Sequence, residues 1–142
     1  MKVLAIDPGE TNIGVAISDP SGTIANPLTV IKHVSRPIDA ATIAQVAEEH
    51  AVALIIVGQA LDDESLPTFE GRRSARLAAA IRTQTNIRVQ LWDESNSTQT
   101  ARIARLAMGG RTRLRRQRRG HLDDLAATVI LQTYLDSCPS EI

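Results

Sequence analysis

Lys2-Val-Leu-Ala-Ile-Asp7, Asn12-Ile-Gly-Val-Ala-Ile-Ser-Asp19 and Thr23-Ile-Ala-Asn-Pro-Leu-Thr-Val-Ile-Lys32 follow one another with only short breaks between them. The second stretch alternates. Ile13, Val15 and Ile17 fall on one side and Gly14, Ala16 and Ser18 on the other, the period of a half-buried strand. Pro8-Gly9 and Pro20-Ser21-Gly22 supply turn chemistry at the breaks. Pro27 lacks the N–H that a central ladder requires, so the third stretch reads as an edge or bulged strand. Three strands joined by short turns make an antiparallel meander.

The pattern changes after Pro37, which can open a helix: Ile43, Val46, Ala47 and His50 recur at helical spacing. Val52–Val57 is apolar without alternation, as a parallel strand covered on both faces should be. From Phe69 to about Thr85 a helix carries Leu77, Ala78 and Ile81 on one face, opposite Arg72, Arg73 and Arg76. Ile87–Trp92 is another strand, ending at Asp93-Glu94. Asn96 with Gln99 three residues on resembles a capping box opening a helix through Ala107, and Gly109-Gly110 ends it. His121–Asp136 forms a last helix. The order predicts an α/β fold: a mixed five-stranded sheet, three antiparallel strands and then parallel ones, flanked by helices. The expected organisation is one domain over residues 1–137 with a C-terminal tail, 138–142.

Composition narrows the class. The chain has 142 residues, enough for a single core. Hydrophobic residues make up 43%, which excludes disorder and low complexity. Aromatics are 2%, too few for a surface that stacks bases on rings. The single cysteine, Cys138, excludes a disulfide scaffold and a Cys-rich zinc site, and His33, His50 and His121 lack zinc-pair spacing. No apolar run is long enough to span a membrane, and Lys2–Asp7 has no signal-peptide core, so a soluble cytoplasmic protein is expected. The formal net charge is +0, yet eight of the sixteen basic residues lie between Arg102 and Arg119. Arg111, Arg113, Arg115, Arg116, Arg118 and Arg119 form one dense run. Such a run on a neutral protein suits a polyanionic partner, although a solvated loop with no partner has the same composition.

The acids fall at element ends. Asp7 closes the first strand, Glu94 follows the last, and Asp123 and Asp124 sit in the first turn of the final helix. In a sheet with parallel central strands, the carboxyl edge is the usual ligand crevice. If the first and last strands run the same way, Asp7 and Glu94 share that edge, and a helix starting above it brings Asp123 or Asp124 near. Converging carboxylates repel unless protonated or bridged by a cation. Oxygen-only donors select Mg²⁺ or Mn²⁺. Two such ions about 4 Å apart stabilise the attacking and leaving oxygens of a phosphodiester displacement. The same acids also read as ordinary turn residues and helix caps, and spacing alone does not choose.

Ala5-Ile-Asp-Pro-Gly-Glu-Thr-Asn-Ile-Gly-Val-Ala-Ile-Ser-Asp19 resembles the opening of the bacterial YqgF/RuvX family, ribonuclease H-like proteins described as pre-16S rRNA nucleases or Holliday junction resolvases. Ile55-Ile-Val-Gly58, Trp92-Asp-Glu94 and Asp123-Asp-Leu-Ala-Ala-Thr-Val-Ile-Leu-Gln-Thr-Tyr-Leu135 resemble its later motifs in the same order. The resemblance implies a ribonuclease H-like fold and a Mg²⁺- or Mn²⁺-dependent endonuclease. It implies Asp7, Glu94 and Asp123 as catalytic metal ligands, with Asp124 as the backup, and the Arg111–Arg119 run as a phosphate-binding strip. It implies structured RNA, in 5′-end maturation of pre-16S rRNA, or branched DNA as substrate, no membrane, and a monomer or homodimer. A non-catalytic nucleic-acid-binding relative is the remaining alternative. Asp7-Pro-Gly-Glu-Thr11 also resembles the phosphate loop of sugar kinases and actin-like ATPases, but those clamp ATP between two domains. The chain departs from the family pattern at Thr11-Asn12, where Lys-Arg is usual, and at Ser95, where Arg is usual. Gln59-Ala60 stands where Leu-Pro is usual, and Asp62-Asp63-Glu64 follows.

Overall fold

A computed structural model of the chain describes residues 1–94 and 122–138, with side chains in the last helix from Leu125 onward. The expected helix from Asn96 and the arginine run lie outside the described residues. The elements are β1 (Val3–Pro8), β2 (Asn12–Ser18), β3 (Ala25–Lys32), α1 (Arg36–Glu49), β4 (Leu54–Gln59), α2 (Phe69–Arg82), β5 (Arg88–Asp93) and α3 (Leu122–Ser137). The strands form one sheet in the order β3-β2-β1-β4-β5. β1 pairs antiparallel with β2, and β2 with β3, so the meander is as expected. β1 and β5 each run parallel to β4, so the first and last strands point the same way. Pro27 lies on edge strand β3 opposite Ala16, where the register shifts between Val15 and Ala16. The proline therefore occupies both an edge and an irregularity, the two places a strand tolerates it.

Strand side chains alternate across the sheet, and each face meets its own helices. Leu4, Ile6, Ile13, Val15, Ile55 and Val57 pack against Ile43 and Ala47 of α1 and Leu77, Ala78 and Ile81 of α2. Val3, Ala5, Ala16, Leu54 and Ile56 face Ala127, Ile130 and Leu131 of α3. β4 is buried on both sides from Leu54 through Gly58, which is why its sequence carries no alternation.

The amino-terminal edge of the sheet is tied by side chains. Ser18 Oγ accepts from the Val3 N–H at 2.8 Å. The Gln132 amide on α3 accepts from the Ala25 N–H at 2.9 Å and donates to the Thr23 carbonyl at 3.0 Å, fastening the helix to the edge strand. The β2–β3 turn is held by Asp19, whose carboxylate accepts from the Ser21 hydroxyl and the Thr23 and Ile24 amides. Those donors, the Ser21 hydroxyl first, keep its carboxyl well below the usual carboxylate range. Among the described residues, no helix is long and apolar enough to cross a membrane.

Candidate active site

Register places the acids. Val3 and Ala5 face α3, so Asp7, two residues on, continues that row. Asp7 pairs with Gly14 of β2. On its other side Ile6 pairs with Val57, which sets Gly58 beside Asp7 in β4. Gly58 in turn pairs with Trp92 of β5, and Glu94 stands just past that strand. Asp7 thus sits between two glycines at one level of the carboxyl edge, on the face covered by α3.

Gly58 is where the geometry closes. A Cβ there would stand 2.8 Å from Glu94 Oε2, 3.0 Å from Ile130 Cδ1 and 3.6 Å from the Ile6 carbonyl oxygen. The Glu94 side chain therefore arches back across β4 and lies over Gly58, a position without a side chain. The Ile6 carbonyl beneath it belongs to the peptide bond that leads into Asp7. Burial pushes the Glu94 carboxyl above its ordinary value, and the neighbouring Asp93 charge adds to the effect. Trp92 packs edge-on against Tyr134 of α3, ring centres 5.1 Å apart at 89°, which anchors the end of β5 to the helix. The Trp92 indole N–H is buried with no hydrogen-bond partner among the described residues.

The structure thus brings Asp7 and Glu94 to one edge and one face. Asp123 and Asp124 fall in the first turn of α3, but their side chains lie outside the described residues, as do Ser95 and all six arginines of the run. Among the described residues, no group of three or more His, Cys, Asp or Glu side chains is placed to hold a metal ion. Cys138 is free and exposed. Residue spacing did not single out Gly58 as the floor of the site. The signal for it was a glycine inside an otherwise unbroken apolar strand, which marks close approach by another group.

The family profile described as RuvX, Holliday junction resolvase, matches residues 1–137. A protein of Thermoanaerobacter pseudethanolicus is 38% identical over 137 residues, covering 96% of this chain and 97% of its own. One of Myxococcus xanthus is 33% identical over 137 residues, covering 96% and 89%. Both bear the name "Putative pre-16S rRNA nuclease". The Fowlpox virus resolvase, solved with Holliday junction DNA, aligns with a TM-score of 0.60 at 14% identity over 99% of this chain and 100% of that one. Thermus thermophilus RuvC, solved with a Holliday junction substrate, gives 0.55 at 16% over 92% and 91%. At those identities the likeness establishes the fold, the ribonuclease H-like sheet and flanking helices of such resolvases. With the profile spanning residues 1–137 and relatives above 30% identity along nearly the full length of both chains, the chain belongs to the RuvX family.

Proposed function

We propose that this protein is a divalent-cation-dependent endonuclease that hydrolyses phosphodiester bonds in structured RNA, in 5′-end maturation of pre-16S rRNA. The observation that carries the reading is the Glu94 carboxylate lying over Gly58, beside the strand end that bears Asp7. Two half-buried carboxylates at the carboxyl edge of parallel strands, one with its carboxyl pushed up, form an oxygen-donor set of the kind that hard cations occupy. Asp7, Glu94 and Asp123 would hold Mg²⁺ or Mn²⁺, with Asp124 as the backup for Asp123. Asp123 lies four and seven residues before Ala127 and Ile130, the helical spacing of one face, and Ile130 is the α3 residue that meets Gly58. When bound, the cation supplies charge neutralisation at the scissile phosphate and lowers the pKa of an attacking water.

The chain's own residues do the rest. Asp7 and Glu94 are aimed by β1 and by the Gly58 gap, so the donor set is built before substrate arrives. Arg111, Arg113, Arg115, Arg116, Arg118 and Arg119 offset phosphate charge and position the strand without reading bases. The RNA assignment follows the names of the relatives. The family description favours a second reading, a Holliday junction resolvase, which needs a two-fold dimer presenting paired sites.

The test compares labelled pre-16S 5′ RNA with a four-way DNA junction, in Mg²⁺ or Mn²⁺, alongside sedimentation. RNA cleavage that falls at least about 100-fold in Asp7→Asn is expected, since even outer-shell partners of a metal are worth 10–100-fold. Junction cleavage by a dimer would shift the assignment to the second reading. No cleavage of either substrate, or an Asp7→Asn variant as active as its parent, would leave only a nucleic-acid-binding relative.

A further inference from the structure

A second cluster lies on the opposite face of the sheet, against the turn that follows Asp7. A cavity of about 250 Å³ opens there, with Pro8 and Gly9 as its lip and Ile13 and Leu77 as its apolar wall. His33, Ser35, Arg36, Asp39 and Arg73 supply its polar side. Arg73 is half-buried, and neither it nor Arg36 makes a hydrogen bond or ion pair among the described residues. Arg36 is exposed at the first residue of α1, near the positive end of its macrodipole, and Arg73 lies in the second turn of α2. Two guanidiniums that share one cavity and make no ion pair among the described residues favour an anion.

The remaining groups are arranged to leave that field positive. Asp39 is 3% exposed, and both of its oxygens are occupied: Oδ2 meets His33 Nδ1 at 2.5 Å and Oδ1 accepts from the Val34 N–H at 3.0 Å. The buried carboxylate fixes the imidazole and leaves Nε2 without a hydrogen bond among the described residues. The volume lies below the 300–1,000 Å³ of pockets for drug-sized ligands, and suits one phosphate with its sugar better than a larger molecule.

We propose that His33, Arg36 and Arg73 form a binding site for a single phosphate of the nucleic-acid strand, reached across the Pro8-Gly9 lip from the Asp7 edge. The phosphate chemistry stands on the cavity alone, whereas assigning that phosphate to a substrate strand rests on the nuclease reading.

The test is an amide NMR titration of the isotope-labelled full chain in EDTA, with three probes: inorganic phosphate, adenosine monophosphate and a short single-stranded RNA. Shifts centred on Gly9, His33, Arg36 and Arg73 are expected with all three. The double variant Arg36→Gln, Arg73→Gln should lose those shifts, bind the RNA about tenfold more weakly at low salt, and show a salt slope smaller by roughly 0.7, the value for one contact on a single strand. The Arg36→Lys, Arg73→Lys variant should keep most of the slope, which separates lost charge from a damaged fold. No shift at these residues with any probe overturns the site. Shifts with the mononucleotide but an unchanged RNA salt slope in the double variant overturn the strand assignment and make the cavity a site for a free nucleotide. Mn²⁺ binding by the parent, and its loss in Glu94→Gln, is followed in parallel. Absence of Mn²⁺ binding with the phosphate shifts intact would count against the nuclease reading and not against this cavity.

Discussion

Gly58→Ala is the sharpest single perturbation of the active-site reading, because one methyl group meets both the candidate ligand and the helix above it. The added carbon would stand 2.8 Å from Glu94 Oε2 and 3.0 Å from Ile130 Cδ1, against an ordinary contact distance of 3.4 Å or more. Clearing it requires the carboxylate to retreat by roughly 0.6 Å and the Ile130 methyl by roughly 0.4 Å. Overpacking of this kind costs about 1–3 kcal/mol. Gly58 does not occupy the left-handed region, so alanine also stiffens the unfolded chain and returns about 0.4–1 kcal/mol. The net destabilisation should therefore be on the order of 1–2 kcal/mol, a fall in Tm of several degrees. Activity should fall much further. A displacement near 1 Å at a reacting centre can cost about 100-fold, so a loss of roughly 10- to 100-fold in cleavage is expected, with weaker Mn²⁺ binding.

The two neighbours can be separated. Ile130→Val removes the Cδ1 methyl and leaves Glu94 in place. In the double variant, melting should recover toward the parent while cleavage and Mn²⁺ binding stay low. If Gly58→Ala cleaves and binds Mn²⁺ like the parent, the arch of Glu94 over β4 is irrelevant to catalysis and the argument from this glycine fails. If Ile130→Val restores activity together with stability, the helix and not the carboxylate was the sensitive neighbour.

Glu94→Gln should raise the Tm of the metal-free protein at neutral pH and abolish stabilisation by Mn²⁺. Because burial and Asp93 raise the Glu94 carboxyl in the folded state, the folded protein holds that proton more tightly than the unfolded chain, and this group's contribution declines as pH rises from the ordinary carboxylate value through the raised one. Melting in EDTA across that window should be flatter in the variant, and parallel curves would count against the burial account. Gln132→Ala removes both amide bonds to the β3 edge and should cost about 1–3 kcal/mol, read by denaturant melts. An unchanged midpoint would mean that apolar packing alone holds α3. Replacing Arg115, Arg116, Arg118 and Arg119 by alanine should weaken nucleic-acid binding across sequences, and the slope of log affinity against log salt should shrink by about 0.7–0.9 for each lost phosphate contact. If the slope does not move, the run is a bystander.

The parts of the fold that were legible are those encoded locally. Period-two alternation in Asn12–Asp19, turn residues on either side and a proline in the next run determine a hairpin and an edge strand with no information from elsewhere in the chain. The unbroken apolar run in β4 is equally local, because burial on both faces is a property of that strand alone. The direction of Glu94 was not legible. It depends on a glycine in the neighbouring strand standing at the right level, and register is settled by packing between segments far apart in sequence. Arg73 shows the same limit. The sequence pattern groups it with Arg72 and Arg76 on the face opposite Leu77, yet it is half-buried, because a residue four before Leu77 lies on the same stripe of the helix. Asp39 looks like an ordinary first-turn acid, and only the chain path before α1 reveals that it grips His33.

The two ends of the sheet are built to different rules. At the amino-terminal edge every polar feature described returns stability: Ser18 serves the Val3 N–H, Gln132 serves Ala25 and Thr23, and Asp19 collects three donors from its own turn. At the carboxyl edge the sequence does the reverse. It places Asp93 next to Glu94, raises the Glu94 carboxyl by burying it, and leaves the central strand without a side chain at Gly58. It also sets Arg36 and Arg73, which make no ion pair among the described residues, at one cavity on the other face of the same edge. Burying Glu94 beside Asp93 weakens the isolated fold, while Gly58 makes the room in which that carboxylate lies. A cation beside Glu94 would relieve the repulsion, and a phosphate would do the same for the two guanidiniums on the other side of the turn after Asp7. Both demands fall at the edge where the parallel strands end, the usual ligand crevice of such a sheet.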